Sequence, residues 1–490
     1  MDEISAELLK HGGSSLITEL TTLFNNCWHN QNVPQDWQDG VIIKLPKKGD
    51  LTDCNNWRGI TLLSIPGKVF CTVLLRRLRS AVDSRMREEQ AGFRSNRSCT
   101  EQILTLRNIM EQSVEYQKPL KLNFIDFKKA FDSVHRESLW KIVLTYGVPA
   151  RFVAIFKSLY DNSRCCVRTD TGRTDFFNII TGVRQGCVLS PLLFLMAIDF
   201  VLKRTTTSES NLGIPWRQKG RLQDLDFADD IVMLDETQEG LQSLTSKLEL
   251  NARKIGLKIS SEKTKVMNVD NQRGQTTSLN IKVNDSSVQT VDHFTYLGSI
   301  VRNDCDIETD IACRIGKAAS VFRRMRSIWS SNAINTEMKV RLHKSIVVPT
   351  AIYASETWKS TAKTKKMLNV FHQKCLRRIL KITWRDRVTN DEVLRRTRTR
   401  PLSDSIVERR LRLAGHILRL PDIRPSKTAI KWIPQEGKRK RGRPKRTWRS
   451  TVIDDLSQVN ITWQGAEAAA ADRTGWRKVA AQCAYGHRRN

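Results

Sequence analysis

Apolar residues recur at helical spacing over the first 35 positions, where Leu8, Leu9, Leu16, Leu20 and Leu23 predict helix. The pattern then shortens to Val41-Ile42-Ile43, which predicts a strand running from about Trp37 into the basic segment 44–48. A loop over 49–56 leads to Trp57-Arg58-Gly59-Ile60-Thr61-Leu62-Leu63-Ser64, and helical periodicity returns over 66–83 and 100–116. Between those helices lies the irregular stretch Gln90-Ala91-Gly92-Phe93-Arg94. A strand is predicted over 119–126, a helix from about His135, a hairpin across 163–180 and a glycine turn at 182–186. Next comes a buried helix from Ser190 to about Lys203, with Ser190 as its cap and Pro191 in its first turn. Residues 221–235 read as two short strands joined by an Ala228-Asp229-Asp230 turn. A helix at 238–255, a short strand pair at 257–269 and β-like segments at 279–301 follow. Beyond about 305 the pattern is helical and dense in Arg and Lys. Without regular βαβ spacing in the first 300 residues, the expectation is an α+β fold with helices packed on one face of a sheet.

Charge narrows the partners. The 490 residues carry 82 Lys and Arg against 51 Asp and Glu, a formal net charge of +31, which favours a polyanion such as nucleic acid. The excess is uneven, since 19 of those net charges fall from Phe371 onward. The 11 cysteines form no Cys-x-x-Cys pair, so neither a zinc ribbon nor a disulfide framework is expected. The start lacks the apolar core of a signal peptide, and no run reaches the roughly 18–20 apolar residues of a membrane span.

The Asp229-Asp230 turn is the first candidate for chemistry. Two adjacent carboxylates are costly unless a cation neutralises them, and hard oxygen ligands suit magnesium. Taken alone, the pair is more readily explained as an ordinary acidic surface turn. Asp126 ends the strand predicted over 119–126 and could meet the turn as a neighbouring strand end. Phosphoryl transfer by two metals needs carboxylates from separate elements. Alone, Asp126 also reads as a helix N-cap.

The ordered set Asn56–Ser64, Gln90–Arg94, Asn123–Asp132, Gly182–Pro191, Phe227–Asp230, Gly256–Thr264 and Phe294–Gly298 resembles the reverse-transcriptase palm of non-LTR (LINE-type) retrotransposons. The resemblance runs from about residue 2 to 454 and is nearest to RTE-like elements, because Gly59 stands where other LINE clades carry a proline after the arginine. It implies a right-hand polymerase, α+β, with fingers, an antiparallel palm sheet and a thumb, followed by a mainly helical basic extension. The implied divisions are 1–302 for fingers and palm, 303–385 for a thumb-like region and 386–490 for a nucleic-acid-binding region.

By the same resemblance, Asp126 and Asp229 hold two magnesium ions (manganese being an alternative) with Asp230 in support, and Lys263 lies near the leaving pyrophosphate. Arg58 grips the incoming deoxynucleoside triphosphate. Phe131 gates the sugar, and Gln185 and Gly186 contact nucleotide and template. Gln90, Phe93 and Arg94 hold the template, while Phe294, Tyr296, Leu297 and Gly298 form the primer grip. The implied partners are an RNA template and a DNA primer, with no membrane. RTE-like relatives carry an endonuclease before the polymerase; the sequence as it stands has no room for one, so a nicked end is expected from an endonuclease in trans. A catalytically silent RNA- or DNA-binding retroelement relic remains a rival. A group II intron maturase is a third reading, disfavoured by the Trp57-Arg58-Gly59-Ile60-Thr61 block.

The run Lys438–Arg446 carries seven positive charges in nine residues. Arg441, Arg443 and Lys445 resemble an AT-hook that would lie extended in a narrow minor groove. The run equally reads as a nuclear signal or a phosphate tether, giving a nuclear and cytoplasmic expectation. Trp432, Trp448, Trp463 and Trp476 either stack on bases or close small helical cores. Pro421-Asp422 with Glu436-Gly437-Lys438 mimics a nuclease carboxylate pattern and is better attributed to chance.

Overall fold

The computed structural model describes residues 4–47, 49–206, 211–217, 220–269, 278–435 and 437–486; Glu436 of the nuclease-like pattern lies outside them. Two sheets dominate the first 302 residues. In the first, β1 (Gly40–Pro46) pairs antiparallel with β2 (Trp57–Leu62) and parallel with the strand Arg164–Thr169. The second sheet contains β3 (Leu120–Ile125), β4 (Asp224–Phe227), β5 (Asp230–Asp235), β6 (Lys265–Val269) and β7 (Gln289–Thr290), in the order β7-β6-β3-β5-β4. All its pairings are antiparallel except β6 with β7.

Both faces of the second sheet are covered, which corrects the one-face expectation. Strand residues alternate between two cores, as period-2 geometry requires. Ile231 and Met233 join α2 (Ser190–Thr205) and α3 (Gln238–Arg253) in one core, whereas Val232, Leu234, Leu122 and Phe124 face α1 (Cys99–Glu115) in the other. Helix α1 is correspondingly buried over most of its surface, polar residues included. Its Arg107 pairs with Asp310 at 2.9 Å and its Glu101 with Arg424 at 2.7 Å, so the sequence shows charges where the fold has a core.

Local chemistry sets several details. Ser190 is the first residue inside α2 and makes no cap bond; its hydroxyl sits 2.9 Å from the Tyr160 hydroxyl instead. The strand pair over 257–269 reduces to β6 and a single bridge between Phe127 and Ile259. The helix Ala150–Tyr160 escaped the sequence reading.

Helices follow β8 (His293–Tyr296) and β9 (Ser299–Arg302). Residues Ile307 to Ile379 form one core that includes α4 (Ala362–Ile379), and α5 (Leu402–Leu418) contributes to that core and to the C-terminal one. Leu104 of α1 is part of the C-terminal core, so the C-terminal helices dock against the helix that covers the second sheet. Trp448 and Trp476 are buried there, and Trp432 packs at 5.6 Å on Trp216, which places these rings in cores. The basic run is pinned at both ends. The Lys440 amide donates to the Glu115 carbonyl, Arg439 pairs with Glu115 at 2.6 Å, and Arg446 donates to the Ser360 carbonyl. Between the anchors, Gly442 is bent at φ +97° rather than extended as the AT-hook expectation requires, leaving Arg441 and Arg443 exposed. Among the described residues no helix is long and apolar enough to cross a membrane.

Candidate active site

Strand β3 is buried at every position but Lys121, and Asp126 is the first residue beyond it. Ile231 pairs with Ile125, so the antiparallel register sets Asp126 opposite Asp230, the first residue of β5. Phe227 pairs with Asp230, leaving Ala228 and Asp229 as a two-residue turn. Ala228 adopts φ +58°, a left-handed conformation that a residue with a Cβ adopts at a cost.

Gln90 supports that turn. Its side chain is fully buried; Oε1 accepts the Ala228 and Gly92 amides, each at 2.8 Å, and Nε2 donates to the Ala228 carbonyl. A Cβ on Gly92 would stand 2.3 Å from the Ala228 nitrogen, so only glycine allows this approach. Gln102 donates to the Asp226 carbonyl from the neighbouring helix.

A cleft of about 590 Å³ opens beside the turn, lined by Asp126 and Asp229 and by Arg58, Phe93, Phe131, Gln185 and Lys263. Four cations (Lys47, Arg58, Lys129, Lys263) face three acids (Asp126, Asp132, Asp229) around it. Burial pushes the Asp126 carboxyl above its usual range; Lys263, 3.8 Å away, opposes the rise, and Asp229 adds to it. Burial also raises Asp229, against the pull of Arg58. Asp230 rises to about 6, through desolvation first and then through the charges of Asp229 and Asp126. Its side chain reaches solvent at the hairpin tip, but the walls around it still strip much of its hydration.

Burial raises the pKa of all three carboxylates, and neighbouring acids add to the rise at Asp126 and Asp230. Their hard oxygen donors fit a divalent cation such as magnesium. Among the described residues no group of three or more His, Cys, Asp or Glu side chains stands in a metal-holding arrangement. Asp230 is absent from the cleft wall, which leaves Asp126 and Asp229 as the pair directed into it.

Phe131 is half-buried on a four-residue helix and stacks on Phe194 at 4.4 Å, so it is both core and cleft wall. The Gln185 amide donates to Asp132 at 3.2 Å, and its carbonyl accepts the Thr61 amide at 2.7 Å. Gly186, at φ +125°, has the Thr61 carbonyl 2.2 Å from where a Cβ would be. The protein's own strand β2 therefore accounts for the glycine.

Two expectations are corrected. Gln90 and Arg94 are enclosed: Gln90 by the turn, and Arg94 by Asp83 at 2.6 Å and by the Gln90 carbonyl. They brace the hairpin from behind, and of the three predicted template residues only Phe93 stands on the cleft wall, exposed at φ +49°. Tyr296 is likewise buried, and Phe294 stacks on Phe124 at 4.2 Å. Leu297 and Gly298 form the β8–β9 turn, whose carbonyls accept bonds from Tyr353 and Arg314.

Sequence reasoning missed the cleft residues Lys47, Trp57, Lys129 and Asp132. It also missed Arg87, whose guanidinium lies 3.3 Å from Asp199, 2.7 Å from Asp224 and in contact with Asp226. The alternation of Asp224 and Asp226 with apolar neighbours was the available signal, because it puts both acids on one face of β4.

Comparison with known proteins agrees with this geometry. A family model described as reverse transcriptase (RNA-dependent DNA polymerase) matches residues 45–301. The chain is 28% identical over 246 residues to the Pol polyprotein of retrotransposable element R2 from Nasonia vitripennis, covering 50% of this chain and 23% of that protein. It is 24% identical over 381 residues to the RNA-directed DNA polymerase of mobile element jockey from Drosophila melanogaster, covering 74% and 40%. A telomerase structure from Candida albicans superposes with a TM-score of 0.44 at 12% identity, over 77% of this chain and 69% of that one. The chain spans less than half the length of these two curated relatives.

Proposed function

The chain belongs to the reverse transcriptase (RNA-dependent DNA polymerase) family, and we propose that it extends a DNA primer on an RNA template as the polymerase of a non-LTR retrotransposon. The observation that carries this reading is the cleft in which Asp126, after the end of one strand, and Asp229, on the hairpin turn, meet Arg58, Lys263 and Phe131. In the proposed reaction the primer 3′-hydroxyl attacks the α-phosphate of a deoxynucleoside triphosphate and pyrophosphate leaves. Two magnesium ions, held by Asp126 and Asp229 with Asp230 in support, would activate the hydroxyl and stabilise the charge on the transferring phosphate.

The chain's own groups supply the rest. Arg58 offers a guanidinium fork to the triphosphate oxygens. Lys263, beside Asp126, gives positive charge or a proton to the leaving pyrophosphate. Phe131, fixed by Phe194, lies where a ribose 2′-hydroxyl would collide with it. Gln90 holds the turn that aims Asp229. The basic run Lys438–Arg446 is assigned to phosphate tethering and nuclear entry.

A catalytically silent binding protein is the second reading. It is disfavoured because the metal, phosphate and sugar positions all carry competent side chains. Primer extension on an RNA template with magnesium and all four deoxynucleotides separates the two. The polymerase reading expects template-directed products, and binding without any incorporation would favour the silent one.

A further inference from the structure

Trp384 is 85% exposed, the most open of the large apolar side chains among the described residues. It sits on the short turn Trp384–Asp386 between α4 and the helix Asn390–Thr397, in a part of the chain that contributes nothing to the catalytic cleft. An isolated apolar ring in water on an ordered turn is a cost with no return inside the fold.

The turn beneath the ring is firmly built. Asp386 accepts the Thr383 amide at 2.6 Å and its hydroxyl at 2.8 Å, closing a capping box. The Ile382 amide donates to the Arg377 carbonyl, Arg377 donates to the Val388 carbonyl and to Asn390, and Lys381 reaches Asn332 at 2.6 Å. Ile382 packs on Leu376, Val393 and Leu394. The indole is therefore presented by a framework that needs no ordering before a ligand arrives.

The flanking sequence is cationic. Lys374, Arg378, Lys381, Arg385 and Arg387 are all exposed, and Arg385 lies 5.5 Å from the Trp384 ring. The one acid from Phe371 to Arg387 is Asp386, which is occupied by Thr383. An exposed aromatic face with Arg385 beside it, on a braced turn in a cation-rich segment, matches the chemistry of an unpaired nucleotide, whose base stacks while its backbone meets the charges. A duplex offers no free base face, and a membrane would ask for more apolar surface than one ring.

We infer that Trp384 is a stacking platform for single-stranded nucleic acid, a second binding site separate from the catalytic cleft. The site does not depend on polymerisation, so its test needs neither magnesium nor nucleotides.

The experiment is fluorescence anisotropy with the full chain and a labelled, unstructured oligonucleotide of about 12 nucleotides, in ribo and deoxy forms. A duplex of equal length and phosphatidylserine vesicles serve as comparison arms. Trp384→Ala should weaken single-strand binding roughly 5- to 100-fold, and Trp384→Phe should restore most of the loss. The doubly substituted Arg385→Gln/Arg387→Gln protein should show a salt slope shallower by about 1.4, near 0.7 for each lost phosphate contact. The ribo and deoxy arms tell an RNA site from a DNA site. Asp229→Asn should bind like the wild type, so loss of polymerase activity leaves this result untouched. Equal single-strand affinity of Trp384→Ala and wild type overturns the proposal. So does Phe behaving like Ala, or a loss confined to vesicles.

Discussion

Gln90 accepts the amide of Ala228 at 2.8 Å, joining a fully buried side chain on an irregular loop to the one left-handed residue of the acidic turn. Replacing it with Leu orphans two buried amides, Ala228 and Gly92. Gln90→Leu should cost about 2–4 kcal/mol in urea unfolding. It should also lower kcat for primer extension while leaving the template KM within about twofold, since the cleft wall is untouched. A kcat equal to wild type would remove the link between this bond and Asp229.

Phe131 answers to two neighbours, Phe194 behind it and the cleft in front. Phe131→Val should raise ribonucleotide incorporation relative to deoxynucleotide by about tenfold, worth about 1.4 kcal/mol of transition-state discrimination. Competition between the two triphosphates during single-nucleotide extension measures it. Unchanged sugar selection would leave Phe131 a core aromatic only.

Asp230 gives a pH prediction with a defined sign. Its folded pKa of about 6 lies above the ordinary carboxylate value, so the folded state holds the proton more tightly. Ionisation therefore subtracts stability as pH rises from about 4 through 6, and the full penalty is present above that window. Allowing for its exposure, Asp230→Asn should stabilise the metal-free protein by about 1 kcal/mol at pH 8 and by almost nothing at pH 4. Magnesium should raise the wild-type Tm at pH 8, with the gain shrinking below pH 6 as protons compete for the carboxylates. Urea unfolding and thermal melts at the two pH values check both; a pH-independent difference would contradict the electrostatic account.

Arg87 is the counter-charge for Asp199, Asp224 and Asp226 under the hairpin. Burial and the neighbouring Asp224 hold the Asp226 carboxyl far above its ordinary range, and Arg87 opposes that rise. Arg87→Met should destabilise the fold by about 3–5 kcal/mol. Adding Asp226→Asn to it should recover part of the loss, because one uncompensated charge is removed. Strict additivity in denaturant unfolding would show that the two residues do not act as a pair.

What the sequence disclosed depended on whether side-chain pattern or long-range contact decided the outcome. The hairpin around Asp229 was legible because apolar runs flank a short polar turn, and Asp126 because it closes a strand-like alternation of Leu120, Leu122 and Phe124. Gln90 and Arg94 were misplaced because loop residues resemble surface residues until Ala228 and Asp83 are known to lie against them. Helix α1 hid its second buried face for a related reason: Glu101, Arg107 and Glu111 look solvent-facing, but their partners lie some 200 to 340 positions further on. The bend at Gly442 follows from anchors at Glu115 and Ser360 that no local pattern announces.

The central claim is that Asp126 and Asp229 carry metal-dependent DNA synthesis in the cleft they share. Its most direct measurement is extension of a labelled DNA primer on an RNA template with magnesium, comparing wild type with Asp126→Asn, Asp229→Asn and Asp230→Asn at equal template occupancy. The account predicts that wild type extends, that Asn at 126 or 229 abolishes detectable extension, and that Asn at 230 leaves a reduced rate. Extension by Asp229→Asn at the wild-type rate, or none by wild type with template bound, would contradict it.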